Sequence, residues 1–243
     1  CDGSSLCVID GYVYLFGGKN SNKILKAAIH DPNKWEDTGF TLPVKLHGSA
    51  LVEYLGTIYL IGGQAGDNDG YATRNVYSAG IYTLNSWATT SNVLPEAISY
   101  SKIINNNNVF YLMGGRTLTG ISDKIYLSNS GNLLVWSTHS RFLAEPLHSY
   151  SILIDSYNNR INLYGGITVN GWTNKIYSAP FSLSSNFSID GYFPYKISGG
   201  NAFTIGNIAY IYTHAAPLSG TNFAADLTNC KILKCNKNNL IFG

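Results

Sequence analysis

An apolar strand ending in a glycine doublet recurs along this chain, and it restricts the possible folds more tightly than any other feature. The copies are Tyr12-Val-Tyr-Leu-Phe-Gly17-Gly18, Ile58-Tyr-Leu-Ile-Gly62-Gly63, Val109-Phe-Tyr-Leu-Met-Gly114-Gly115 and Ile161-Asn-Leu-Tyr-Gly165-Gly166. A fifth, Ile208-Ala-Tyr-Ile-Tyr212-Thr213, keeps the strand and lacks the glycines. Successive copies lie 45 to 52 residues apart. A second landmark runs in register with the first. An apolar residue precedes an aromatic one by eleven positions in Ile24/Trp35, Val76/Trp87, Ile125/Trp136 and Ile176/Phe187, and by ten in Ile232/Phe242. Two landmarks that keep step five times indicate one structural unit repeated five times.

Each unit reads as four strands. In the second they fall at 48–54, 57–61, 75–82 and around Trp87, with Leu55-Gly56 as a tight turn between the first two. Only 12% of residues are charged, while Gly (25) and Tyr (18) are abundant, as suits short strands joined by polar turns. A lone four-stranded sheet cannot cover both of its faces, but five arranged radially cover one another. The expected fold is therefore all-β: a five-bladed β-propeller of four-stranded antiparallel blades, one domain over 1–243. Its blades fall at about 1–40, 41–91, 92–140, 141–191 and 192–243. The doublet should close the second strand where no Cβ fits or where φ is positive. The spaced Trp should wedge the outer gap between blades.

The doublet after an apolar strand, the Tyr-bearing strand that follows and the spaced Trp resemble the kelch repeat of galactose-oxidase-like propellers. The outer hairpin Lys175-Ile-Tyr-Ser-Ala-Pro180 is similar to the bacterial and phage-type version. The resemblance spans essentially the whole chain and departs from the pattern in the fifth unit, where Tyr212-Thr213 replaces the doublet. It implies a kelch-like propeller. The family includes copper enzymes that use Tyr and His, but no motif flanking the Tyr and His residues here matches theirs. Arg74, Arg116, Arg141 and Arg160 do not suggest the three converging arginines of a sialidase. Glu36, Glu53, Glu96 and Glu145 do not suggest the paired carboxylates of a glycosidase. No catalytic residue and no cofactor are expected.

Alternating strand direction places the connections after the doublets, and the linkers between units, on one face. These are the longer and more varied loops, where recognition residues gather on a repeated scaffold. The candidates there are Trp172, Tyr71, Arg74, Arg116 and His214, with His47 and His148 at equivalent linker positions that hold Asp2, Ser99 and Ile197 in the other units. Each His either contacts a ligand near the axis or hydrogen-bonds the neighbouring backbone. Trp172 stands apart from the repeat's own Trp and suits stacking on a sugar or anchoring a protein contact. Gly66-Asp-Asn-Asp-Gly70 offers Asp67 and Asp69 to a cation, fewer carboxylates than a calcium loop needs. Asn186-Phe-Ser188 is a glycosylation sequon.

The four cysteines lie only near the ends, at Cys1, Cys7, Cys230 and Cys235. They read equally well as a disulfide joining the first and last blades or as free thiols in a core. Sixteen basic and fourteen acidic side chains are scattered, with no basic stripe for nucleic acid. No apolar run is long enough to span a bilayer. The expected partners are a glycan or cell-surface receptor, or other protein subunits of a larger assembly. The expected setting is extracellular or on a virion surface, as in a phage tail or bacterial surface protein.

Overall fold

A computed structural model describes residues 3–67, 70–205, 208–216, 230–236 and 239–241, and every regular element among them is a β-strand. The first sheet holds β1 (Ser5–Ile9), β2 (Tyr12–Phe16), β3 (Lys23–Ala28) and β4 (Glu36–Thr41). After the two-residue β5 (Leu46–His47) come β6 (Ala50–Tyr54), β7 (Thr57–Ile61), β8 (Gln64–Ala65), β9 (Tyr71–Ala72), β10 (Val76–Gly80) and β11 (Ala88–Thr90). Of these, β6, β7, β10 and β11 form the second sheet, while β5, β8 and β9 form a miniature one. The third set repeats the plan with β12 (Ile98–Ser99), β13 (Lys102–Asn106), β14 (Val109–Met113), β15 (Arg116–Thr117), β16 (Lys124–Ser128) and β17 (Ser137–Phe142). The remaining strands are β18 (Ser151–Asp155), β19 (Arg160–Tyr164), β20 (Ile167–Thr168), β21 (Gly171–Pro180), β22 (Ser188–Ile205), β23 (Ile208–Ala216), β24 (Cys230–Asn236) and β25 (Asn239–Ile241).

All paired strands are antiparallel, as expected from turns this short. Three of the first hairpins close on two residues, Asp10-Gly11, Leu55-Gly56 and Asn107-Asn108, all at positive φ. That backbone matches the twist of the flanking strands. One difference from expectation lies at the fourth linker. There β22 runs without a break from pairing with β21 (Ser178↔Ser188) to pairing with β23 (Ile205↔Ile208). A single eight-stranded sheet results where two separate ones were expected.

The chain divides into two compact units. One runs to Gly120 and includes Tyr126–His139; the other comprises Ile121–Ile125 and the chain from Ser140 onward. In the first unit, Ile9, Phe16 and Ile24 pack with Ile58, Leu60 and Tyr77 from the second sheet. Ala50, Ile61 and Val76 pack with Phe110, Leu112 and Tyr126 from the third set. In the second unit, Tyr164, Phe193, Ile197 and Ile211 form a core of their own. Each large side chain buried this way contributes about 1.5–3 kcal/mol.

The repeat's Trp does wedge neighbouring sheets in two sets. Trp87 lies edge-on to Phe16 of the first sheet at 5.9 Å, and Trp136 is buried in the core shared with the second. Each donates its indole N–H to a carbonyl three residues back, Leu84 or Leu133, at 2.8 Å. Trp35 is 40% exposed.

The glycine doublet turns out to be the joint between successive sheets. Its second residue donates to the linker of the next set: Gly18 to Leu46 O (2.9 Å), Gly63 to Ile98 O (2.8 Å) and Gly166 to Ile197 O (2.8 Å). The first residue lies against the same carbonyl, so closely that a Cβ on Gly17, Gly62 or Gly165 would overlap it. Positive φ and missing space therefore both select glycine. A second seam runs through the residues that precede the inner strands. Gly48 N donates to Gly3 O (2.7 Å) and Tyr100 N to Gly48 O (2.6 Å) in the first unit, as Gly199 N does to Ser149 O (2.7 Å) in the second.

Candidate functional site

In the first unit, β5 pairs with β8 (His47↔Gln64) and β8 with β9 (Ala65↔Tyr71), so the expected loop 64–74 is largely a miniature sheet. Gly66 N bonds Lys45 O at 3.0 Å and fixes its base. From this support Tyr71 projects with 80% of its surface exposed. Arg74 is also exposed, but its guanidinium Nε donates to Leu94 O at 2.6 Å, and its own carbonyl accepts from Val93 N and Leu94 N. Arg74 therefore fastens the linker. Asp67 pairs with Lys45, which leaves its charge engaged, and Asp69 lies outside the described residues.

The equivalent loop of the third set is built likewise. Ser99 pairs with Arg116 in the β12–β15 ladder and donates its hydroxyl to Arg116 O at 3.2 Å. Thr117 N and Oγ1 both reach Gly120 O and close the tip, where Leu118 is 67% exposed. The Arg116 side chain is exposed and makes no ion pair or hydrogen bond with a described residue.

In the second unit, His148 and Ile167 exchange backbone hydrogen bonds at 3.1 and 2.8 Å. Then β20 and β21 form a short hairpin in which Ile167 faces Trp172. Thr168 Oγ1 donates to Gly171 O at 3.1 Å. Trp172 thus sits in a strand and is half-buried, whereas a loop position had been expected; Val169 at the tip is 72% exposed.

The two linker histidines occupy the same place in the repeat and differ in environment. His47 is 2% exposed, lies edge-on to the Tyr100 ring at 6.0 Å, and its Nδ1 has no partner among the described residues. His148 is half-buried, and its Nδ1 meets Ser149 Oγ at 2.9 Å. The cause is the next residue, since Gly48 has no side chain to offer where Ser149 does. This register also corrects the expected equivalences. His47, Ser99, His148 and Ser198 each precede a residue at positive φ (Gly48, Tyr100, Ser149, Gly199), so Ser198, and not Ile197, is the fourth member. His214 lies in β23, where it pairs with Ser198, and its side chain is outside the described residues.

Sequence reasoning missed a pair of carboxylate anchors. Glu145 accepts from Tyr177 OH at 2.7 Å and from Lys175 Nζ at 2.6 Å, and Glu96 accepts from Tyr126 OH. Each joins a linker glutamate to the buried tyrosine of the strand that follows the long loop. Burial, and then the hydrogen bond to Glu145, pushes the Tyr177 phenol above its ordinary range. The signal was present as a Glu beside a linker proline and a Tyr some thirty residues later, in the third and fourth sets.

Cys7 is a free thiol packed against the core between the first two sheets. Cys1 lies outside the described residues, as do the side chains of Cys230 and Cys235 in β24. Asn186 accepts from Phe142 N through Oδ1 at 3.3 Å, so the sequon's asparagine also ties the segment before β22 to β17. Among the described residues no three of His, Cys, Asp and Glu gather as metal ligands, and no helix is long and apolar enough to cross a membrane.

Four-stranded antiparallel sheets in the first unit, and glycine joints that recur within each unit, fit a kelch-repeat β-propeller fold. Comparison with known proteins supports that class. A kelch domain-containing protein of Saccharolobus solfataricus, SSO1033, is 35% identical over 92 residues, which is 38% of this chain and 11% of that protein's length. The solved structure of YjhT, a kelch-type propeller, superposes with a TM-score of 0.71 at 14% identity, covering 87% of this chain and 72% of the other. That likeness establishes the fold alone. No family model matches.

Proposed function

We propose that this chain is a non-catalytic recognition module, a five-bladed propeller that binds a glycan or cell-surface receptor through the loops that follow its glycine doublets. The kelch propeller fold points to an interaction module. The observation that carries the finer reading is what those loops present. Tyr71 is 80% exposed and the Arg116 side chain has no partner among the described residues, and both stand on miniature ladders fixed by backbone hydrogen bonds. A rigid aromatic ring and an uncommitted guanidinium suit a polar extracellular ligand, and holding them still lowers the entropy lost on binding. The setting proposed with this reading is an extracellular or virion surface.

The test is a glycan array and a cell-adsorption assay on the wild type, Tyr71→Ala and Arg116→Ala. Each substitution should weaken binding roughly tenfold or more, as truncation of an anchoring residue does, with the melting temperature unchanged. Trp172 is the poorer probe, because its half-buried ring makes truncation a structural change as well.

A second reading, protein contact within a larger assembly, is favoured by the exposed apolar tips Leu118 and Val169. No glycan or cell binding, together with co-purification of assembly subunits that is lost in Leu118→Asp, would select it.

A further inference from the structure

The two miniature ladders of the first unit are joined into one. In the second set His47 pairs with Gln64 and Gln64 with Ala72, and in the third Ser99 pairs with Arg116. An antiparallel bridge, Thr73↔Ile98, connects them through Ile98 N, which donates to Thr73 O at 3.2 Å. That bridge sets Ala72 beside Ser99. Residues opposite one another in a ladder share a face, and their neighbours along each strand take the other. His47, Gln64, Ala72, Ser99 and Arg116 therefore form one row across five strands, roughly 20 Å long. Leu46 and Ile98, both buried, lie on the opposite face.

The polar side chains of this row are mostly uncommitted. The Ser99 hydroxyl is bonded, to Arg116 O. The Gln64 amide and the Arg116 guanidinium make no hydrogen bond or ion pair with a described residue. At the inner end, the Nδ1 of the buried His47 also has no partner among the described residues. A Cβ on Gly3 would lie 3.5 Å from His47 Cδ2, so that edge of the ring faces the first set and Nδ1, on the other edge, turns away from it. A buried nitrogen left in this way is unfavourable until a hydrogen-bonding group reaches it. Ala72 and Ser99 are small and leave the row low between Gln64 and Arg116. With main-chain groups paired along the ladder, the row offers a ligand an amide, an imidazole nitrogen and a guanidinium. The first two suit hydroxyls, and the third takes a carboxylate through paired N–H groups. No acidic side chain stands in the row to compete for it.

We propose that this row binds a hydroxyl-rich ligand bearing carboxylates, a glycan of the uronic acid type, with Arg116 on a carboxylate and Gln64 and His47 on hydroxyls. The proposal rests on the recognition reading and names its ligand class.

The experiment is isothermal titration calorimetry with polygalacturonate and with its methyl ester, which keeps the hydroxyls and removes the charge. The proteins are the wild type, Arg116→Gln, Gln64→Leu and Tyr71→Ala, with melting temperature as the check on folding. The wild type should bind the acid roughly tenfold more tightly than the ester, and that preference should shrink as salt screens the exposed guanidinium. Arg116→Gln should bind both polymers alike. Gln64→Leu should weaken both roughly fivefold, and Tyr71→Ala, which removes a ring and no charge, should weaken both and keep the preference for the acid. Glycan binding with no preference for the acid, or with a preference that survives Arg116→Gln, would overturn the proposal and leave the recognition reading standing. Absence of glycan binding of any kind would overturn both. Binding of polyglutamate in place of polygalacturonate, lost in the same variants, would assign a peptide ligand and overturn the glycan.

Discussion

Substituting Gly62 by Ala, with Gly56→Ala as its control, separates the two reasons for the glycine doublet. Both residues have positive φ, +62° and +73°, and both belong to the second set. A Cβ on Gly56 meets nothing within 4 Å, whereas one on Gly62 overlaps the Ile98 carbonyl oxygen and lies 3.3 Å from Ile98 Cγ2. The left-handed backbone costs either alanine about 1–2 kcal/mol. Only Gly62→Ala must also push β12 away, breaking the 2.8 Å bond from Gly63 N to Ile98 O and disturbing Ile98, which is fully buried. Losing that hydrogen bond is worth about 1 kcal/mol and overpacking a tight site about 1–3 kcal/mol, so Gly62→Ala should lose about 2–4 kcal/mol more than Gly56→Ala. Urea unfolding followed by tryptophan fluorescence reads this as a shift in midpoint at constant slope. Equal losses in the two variants would mean that φ alone selects glycine and that the carbonyl contact between sheets is incidental.

Two further substitutions follow from polar groups at the same seams. Ser101 Oγ is buried without a partner among the described residues, and Ala50 stands where Ser5 bonds Ser49 in the preceding pair of sheets. Ala50→Ser should therefore stabilise the protein by about 0.5–1.5 kcal/mol, and a lowered urea midpoint would show that the two sheets do not repeat the Ser5–Ser49 geometry. Burial, with a smaller contribution from the Glu53 charge, pushes the Cys7 thiol up to about 12 from its ordinary 9.0. Between those values the folded state keeps a proton that the unfolded chain has lost, so this contribution to stability is present below pH 9 and disappears as pH approaches 12. Guanidinium midpoints from pH 8 to 11.5 should fall more steeply for wild type than for Cys7→Ala. Native protein treated with iodoacetamide at pH 8 should give a Cys7 peptide free of label, and rapid labelling there would contradict the buried thiol.

The strands were legible because their signals are local. The second set shows this closely, with β7 at 57–61 as expected and β6 and β10 within two residues of it. Leu55-Gly56 specified its turn through backbone conformation, and the apolar runs specified strands that bury two faces. The glycine doublet was half legible. Its need for positive φ and missing space could be read, but its partner could not, since Leu46, Ile98 and Ile197 lie some thirty residues further on, in a linker with no pattern of its own. The slip from Ser198 to Ile197 has a similar origin. The pairing of β22 with β23 shifts register between Ser198 and Asn201, so Gly199-Gly200 holds one more residue than the other linkers do. Counting along the chain cannot detect a bulge.

The candidate site was legible in type and less so in residue. The connections after the doublets are longer than the outer turns in the second and third sets and not in the first and fourth, and their composition does not say which side chains the fold uses. Arg74 and Arg116 look alike in sequence. The first is consumed by Leu94 O because its set places a linker carbonyl within reach, and the second sits in a ladder with Ser99 that leaves its side chain exposed. Trp172 attracted attention as an isolated aromatic between Gly171 and Thr173, yet Thr168 and Gly171 close a hairpin that sets it opposite Ile167, where it is half-buried. His47 and His148 share a place in the repeat, but a serine follows His148 and meets its Nδ1 where a glycine follows His47. In a repeat protein the scaffold is written in what recurs, so the residues that set one loop apart are those whose neighbours break the repeat. Tyr100 and Lys102 break it two residues apart, where a glycine and a small residue stand in most of the other sets, which makes the inner end of the third sheet the place where substitution should reveal most.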